Sequence, residues 1–162
     1  MTIDFTLNEK PQRVQIRSGD RLVYVLQKLG DFPSLIPDCL GGNCGRCLVF
    51  MDSRLVYSCL TPAFKAKGAS IVTYEGFAAT DECKDIVTAL KEAAAFPCDF
   101  CRKAKVMMIA DLLARVPLPE ESDIAEQLAV VSCACTDPVS LTKAIRLAAE
   151  FRNKRKFKRA DK

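Results

Sequence analysis

Nine cysteines in 162 residues, with no histidine, constrain this chain more than any other feature. Eight of them fall into two sets of four with different spacings. Cys39, Cys44, Cys47 and Cys59 read C-x-x-x-x-C-x-x-C, with the fourth after eleven further residues. Cys98, Cys101, Cys133 and Cys135 read C-x-x-C and C-x-C, separated by 31 residues. Four thiolates per site suit a 2Fe–2S cluster, and the first spacing is the plant type. Two clusters on one small chain make a short electron wire, and a wire leaves substrate chemistry to partner proteins.

The length allows one medium domain or two small ones, and a metal centre supplies stability that a small core lacks. No apolar run approaches the roughly 20 residues of a membrane span. Met1-Thr2-Ile3-Asp4 lacks a signal-peptide pattern, so a cytoplasmic location is expected, where cysteines more often bind metals or react than pair as disulfides. The absence of histidine excludes Rieske ligation and Cys/His zinc fingers. Residues 152–162 hold seven basic side chains and one aspartate, a charge of +6 in a chain whose total is +4, which leaves the rest at −2. The basicity is therefore a tail, expected to be a solvated, frayed helix end, with docking on an acidic partner as the alternative. Neither a nucleic-acid nor a membrane partner is expected.

Residues 1–76 read as mostly β. Ile3, Phe5 and Leu7 alternate with polar residues, and Val14 and Ile16 resume the alternation after Asn8-Glu9-Lys10-Pro11, which gives a hairpin. Ser18-Gly19-Asp20 offers a cap for a helix carrying Leu22, Val25, Leu26 and Leu29, closed by a left-handed Gly30. An irregular loop, 37–47, carries three of the cysteines. Strands Leu48–Met51 and Leu55–Leu60 follow around a tight turn at Asp52-Ser53, and Ile71–Tyr74 is the last strand. Two hairpins, a helix and a final strand fit a β-grasp domain. A linker, 77–80, then leads to a helical unit over 81–152, before the basic tail at 153–162. Thr80 caps a first helix with Cys83, Val87, Leu90 and Ala94 inward, which Pro97 ends or kinks. A second helix spans about Asp99–Val116, Ile124, Leu128 and Val131 mark a third, and Asp137-Pro138 opens a fourth. The expected class is α+β, a β-grasp domain followed by a four-helix domain.

In the first cysteine set, Gly41, Gly42 and Gly45 reach positive φ cheaply and let backbone N–H groups approach sulfur, which tunes a cluster's potential. Four cysteines also suit tetrahedral zinc, but zinc sites usually pair two short C-x-x-C knuckles, unlike this glycine-rich loop. The second set sits at the starts of two helices, where free N–H groups and the dipole favour thiolates. Zinc, or a dithiol redox pair at Cys98 and Cys101, stays open there from spacing alone. Cys83 reads as a small buried hydrophobe, with a redox-sensing thiol or a replacement ligand as the alternatives.

Across roughly residues 2–152 the chain resembles the small iron–sulfur subunit of the molybdenum hydroxylases, the xanthine dehydrogenase, aldehyde oxidoreductase and carbon monoxide dehydrogenase family. The resemblance rests on Cys39-Leu-Gly-Gly-Asn-Cys44-Gly-Arg-Cys47, Tyr57-Ser58-Cys59-Leu60, Pro97-Cys98-Asp-Phe-Cys101 and Ser132-Cys133-Ala-Cys135-Thr136. It implies an N-terminal ferredoxin-like domain and a C-terminal helical domain, each with a 2Fe–2S cluster held by one cysteine set. It also implies two partners: a large molybdopterin-binding subunit, which donates electrons, and an FAD-binding subunit, which usually accepts them. No catalytic residue is implied on this chain.

The departures lie on the side that faces the pterin in the family. Pro97 stands where family members commonly have a glutamine whose amide contacts the pterin, and it has no donor to offer. Arg102-Lys103-Ala104-Lys105 replaces Thr-Pro-Gly-Met, and Asp137-Pro138 follows Cys135-Thr136 in place of Gly-Tyr. A divergent lineage with compensating contacts accounts for this, and so does a changed pterin contact with electrons entering from another donor. Arg102, Lys103 and Lys105 are expected to raise the potential of the adjacent cluster, with Asp99 opposing them. The function expected is electron transfer through two clusters. The alternatives are a molybdopterin-independent carrier or redox-responsive adaptor, and a zinc-stabilised interaction module in the helical half.

Overall fold

A computed structural model describes residues 1–160, with side chains to Phe157. The chain divides into two compact units, Met1–Ala78 and Ala79 onward.

The first unit is a five-stranded mixed sheet of β1 (Thr2–Leu7), β2 (Lys10–Gln15), β3 (Leu48–Met51), β4 (Arg54–Tyr57) and β5 (Ser70–Val72), in the order β2-β1-β5-β3-β4. Only β1 and β5 pair in parallel. Both hairpins turn on two residues with positive φ, Asn8-Glu9 (48° and 67°) and Asp52-Ser53 (49° and 65°). That is the geometry whose twist matches the flanking strands. The alternation of β1 puts Ile3, Phe5 and Leu7 into a core with Leu22, Val25 and Leu26 of α1 (Leu22–Leu29) and Ile71 of β5. This is the mixed-sheet half of the α+β fold expected.

Several local expectations differ. The N-cap of α1 is Arg21, and Asp20 instead accepts the N–H of Arg17 at 2.9 Å, closing the turn before the helix. Gly30 is extended (φ 176°), not left-handed; the residue is small because a Cβ there would meet the Phe32 ring at 3.0 Å. The last strand stops at Val72, and Tyr74–Phe77 form a short helix, α2. Phe77, which the sequence pattern places in the linker, is buried and packs edge-on to Phe50 with ring centroids 5.6 Å apart.

A charged anchor ties α2 to the segment leading into the cysteine loop. Glu75 accepts the N–H of Ser34 at 2.9 Å and its hydroxyl at 2.7 Å. Burial pushes this carboxyl upward, but the Ser34 hydrogen bonds outweigh it and hold the group below its ordinary 4.5. With the folded value below the unfolded one, the stabilisation is present above about pH 4.5 and is lost as the pH falls through the folded value. Glu75→Gln should therefore lower stability at pH 7 by about 1 kcal/mol, after discounting for solvent screening. The gap between the urea midpoints of the two proteins should narrow as the pH falls below 4.5, and a gap that stays constant from neutral pH down through the acid range would refute the assignment.

The second unit holds four helices, α3 (Asp81–Glu92), α4 (Arg102–Arg115), α5 (Glu121–Leu128) and α6 (Pro138–Ala160). Thr80 caps α3 by accepting the Cys83 N–H at 3.2 Å, and Asp137 caps α6 by accepting that of Ser140 at 2.8 Å. α3 ends ahead of Pro97, without using it as a stop. Ala94 takes a left-handed φ of 53°, the Ala95 N–H bonds the Leu90 carbonyl and the Ala94 N–H bonds that of Lys91. This is a Schellman close with alanine in the usual glycine position. Ala94 is exposed, and Ile86, not Val87, is the buried residue of that turn.

α4 begins at Arg102, three residues later than expected, because Cys101 is its N-cap. Every residue from Ala104 to Leu113 is buried, so the helix has no solvent face over that stretch. Gln127 of α5 donates to the Met108 carbonyl at 2.8 Å and to Asp111 at 3.1 Å, and Asp111 also pairs with Arg115 at 3.0 Å. The start of the expected basic tail is helix, held by opposite charge. Arg152 lies 3.1 Å from Glu82, and Arg155 lies 3.1 Å from Asp85. Asp161 and Lys162, and the side chains of Lys158 and Arg159, lie outside the described residues.

Candidate iron–sulfur centres

The first cysteine set occupies the loop between α1 and β3, with Cys59 just past β4. The amides of Asn43 and Cys44 each lie 3.4 Å from the Cys39 sulfur, and that of Gly41 points the same way. These donors, Cys44 first, hold the Cys39 thiol down at about 6. The nest is built by positive φ at Gly42 (71°) and Gly45 (74°), as glycine allows. Gly41 is different. Leu40 takes the third left-handed position (φ 52°), and its carbonyl accepts from the Arg21 guanidinium at 3.2 Å, which ties the strained residue to the start of α1.

Cys47 and Cys59 are buried together against Val23. Burial pushes the Cys47 thiol up to about 12. Ser58, fully buried, donates its hydroxyl to the Cys47 carbonyl at 2.6 Å, while its own carbonyl accepts the Val23 N–H at 3.1 Å. Cys39 is thus the exposed member of the set, while Cys44, Cys47 and Cys59 are buried. Tyr57 stands beside all four, and burial followed by the four neighbouring thiols raises its phenol above the ordinary value. In the sequence Tyr57 and Ser58 stand out only as members of a motif, with no role of their own. Val23 and Arg21 carry no signal there beyond lying on the back of an amphipathic helix.

In the helical unit the four sulfurs of Cys98, Cys101, Cys133 and Cys135 all lie within 4.8 Å of one another. Cys98 sulfur is 3.8 Å from that of Cys101 and 3.9 Å from that of Cys133, and Cys101 sulfur is 3.2 Å from that of Cys135. Cys101 is positioned as the cap of α4, and the loop before it closes through the Cys101 and Arg102 amides onto the Cys98 carbonyl. Cys133 and Cys135 come from the α5–α6 connection. Burial pushes the Cys101 thiol well up, with Lys105 acting in the opposite sense. Cys135 goes the other way, down to about 6: burial acts upward, but the Cys98 amide at 3.4 Å and the Thr136 hydroxyl at 3.4 Å outweigh it. Exposure is graded across the site, from buried Cys101 through Cys98 and Cys133 to exposed Cys135.

The three cations after Cys101 are not equivalent. Arg102 is exposed, pairs with Asp99 at 2.8 Å and donates to the Pro97 carbonyl at 3.3 Å. Lys105 is 3% exposed and points at the cysteines, its Nζ donating to the Cys133 carbonyl at 3.0 Å and lying 3.8 Å from the Cys135 sulfur. Cys83, the ninth cysteine, is buried in α3. Two all-thiol donor sets, one lined by amides and one by amides and an ammonium, are chemically suited to iron–sulfur clusters, which carry net negative charge.

Comparison with known proteins points the same way. A family described as a 2Fe-2S binding domain matches residues 73–146. The nicotinate dehydrogenase small FeS subunit of Eubacterium barkeri is 27% identical over 150 residues, 93% of this chain and 96% of that one. The xanthine dehydrogenase iron-sulfur-binding subunit of Escherichia coli O157:H7 is 31% identical over 141 residues, 84% of this chain and 86% of its own length. Among solved structures, quinoline 2-oxidoreductase from Pseudomonas putida 86 has a chain that aligns with a TM-score of 0.79 at 29% identity, over 93% of this chain and 94% of that one.

Proposed function

The chain belongs to the iron–sulfur, electron-transfer subunits of the molybdenum hydroxylases, and from that membership we propose that it holds two 2Fe–2S clusters and relays electrons between partner subunits. The observation that carries the reading is the convergence of the Cys98, Cys101, Cys133 and Cys135 sulfurs within 4.8 Å. Cys39, Cys44, Cys47 and Cys59 hold the other cluster, with Cys39–Cys44 and Cys47–Cys59 as the two thiolate pairs that two irons require. Bound in these sites, each cluster supplies one-electron redox chemistry.

The chain's own residues do the rest. Gly42 and Gly45 shape the nest of amides around Cys39; Ser58 and Val23 fix Cys47 and keep water from its side of the site. With both clusters bound, the Cys98, Cys101, Cys133 and Cys135 site would take electrons from a molybdopterin centre on a large subunit, and the Cys39, Cys44, Cys47 and Cys59 site would hand them toward FAD or another acceptor on a third. The complex works in the cytoplasm, where cysteines serve as metal ligands more often than as disulfides. No helix among the described residues is long and apolar enough to cross a membrane.

The test is iron, zinc and acid-labile sulfide per chain on anaerobically purified protein, EPR after dithionite reduction, and identification of co-purifying subunits. The expected result is about four iron and four sulfide, two distinct 2Fe–2S signals and a molybdopterin-containing partner. Two clusters without that partner would replace this reading with a molybdopterin-independent carrier. Zinc with about two iron would replace it with a zinc-stabilised module.

A further inference from the structure

A lysine buried to 3% exposure ordinarily has a carboxylate beside it, since an unpaired buried charge is costly. Lys105 has none within ion-pair distance among the described residues. Its two polar neighbours are the Cys133 carbonyl and the Cys135 sulfur. Its place on α4 adds to the cost, because the first turn of that helix contains no acidic residue and the positive end of the dipole repels a cation. Something negative must stand at the end of this side chain, and the four cysteines are what it faces.

We propose that Lys105 is an electrostatic tuning residue of the helical-unit site, a buried positive charge that biases the site toward accepting an electron. The inference rests on the two-cluster reading above. Four thiolates, two ferric ions and two sulfides sum to a dianion, and one added electron makes a trianion. A fixed cation inside the protein, shielded from water, favours the more negative state. Arg102 is a poor candidate for this role because it is exposed and pairs with Asp99. Without Lys105 the site would accept an electron less readily, and electrons would dwell less on this unit.

The experiment is an EPR-monitored redox titration of the full chain, with iron counted in each sample, for wild type, Lys105→Met, Lys105→Gln and Lys105→Arg. The neutral variants should weaken reduction of the helical-unit cluster at least tenfold, about 59 mV for one electron, while the first cluster stays put and the arginine variant restores most of the shift. A loaded cluster whose midpoint is the same in Lys105→Met and wild type overturns the proposal and leaves the two-cluster reading intact. If the neutral variants fail to hold iron, loading becomes the readout. Retention by Lys105→Arg alone supports the charge assignment, and loss from all three makes Lys105 a packing residue and ends it. A wild-type chain with one 2Fe–2S signal removes the underlying reading, a result seen before any variant is made.

Discussion

Replacing Cys101 by alanine should halve the iron content, from about four to about two per chain, and remove one of the two EPR signals. Cys101 is the fully buried member of its set, sits at the cap of α4, and has the Cys135 sulfur 3.2 Å away. Among the described residues no other cysteine, aspartate or glutamate joins this cluster, so the remaining three thiols are left an incomplete set. On the relay proposed above, electron delivery should fall to background, while the first cluster keeps its signal. Cys83→Ala is the companion experiment. That thiol is also buried but lies in α3, and its loss should leave iron and both signals at wild-type levels. Full iron in the Cys101 variant, or half iron in the Cys83 variant, would exchange their roles.

The second large effect is on folding. Ile109 is fully buried in the stretch of α4 that has no solvent face. Ile109→Ala removes packing on a helix whose neighbours have little room to close the gap, and should cost about 3 kcal/mol. For a unit of this size that corresponds to a fall in melting temperature of roughly 12–24 °C. The same helix presents Cys101 and Lys105, so heat should strip the helical-unit cluster from the variant earlier than from wild type. Leu118→Ala, at a residue 71% exposed, should shift stability by less than about 0.5 kcal/mol. Denaturant melts of both decide it, and a loss below about 1 kcal/mol at Ile109 would mean that the core relaxes around the cavity.

Much of this is legible in the sequence because the signals are short-range. The alternation Ile3, Phe5, Leu7 specifies a half-buried strand, and the dipeptides Asn8-Glu9 and Asp52-Ser53 lie at the tips of real two-residue turns. Thr80 and Asp137 cap the helices they precede. The misreadings share a cause. Gly30 and Pro97 are punctuation residues, but the ends of α1 and α3 are set by other local contacts: the Phe32 ring two residues on in one case, and a left-handed Ala94 backed by two hydrogen bonds to the last turn in the other. The basic run after Phe151 looks solvated in isolation because its partners, Glu82 and Asp85, lie some seventy residues earlier.

The cysteines announce themselves by spacing, whereas their supports do not. Val23 looks like one more apolar residue on α1, and Ser58 like a polar strand residue, until the chain brings both to Cys47. Lys105 reads with Arg102 and Lys103 as a single patch of charge. Their surroundings separate them: Arg102 stays exposed and paired with Asp99, whereas Lys105, about one turn further along α4, is buried against Cys133 and Cys135.

The graded exposure of the helical-unit site also sets an order of events when the protein matures. Cys101 is committed to the interior as soon as α4 folds, whereas Cys135 remains at the surface. Iron and sulfide arriving from solvent would therefore meet Cys135 first and Cys101 last. A partner covering Cys135 before loading would close the exposed side of the site, so an order of loading first and docking second follows from the proposed function.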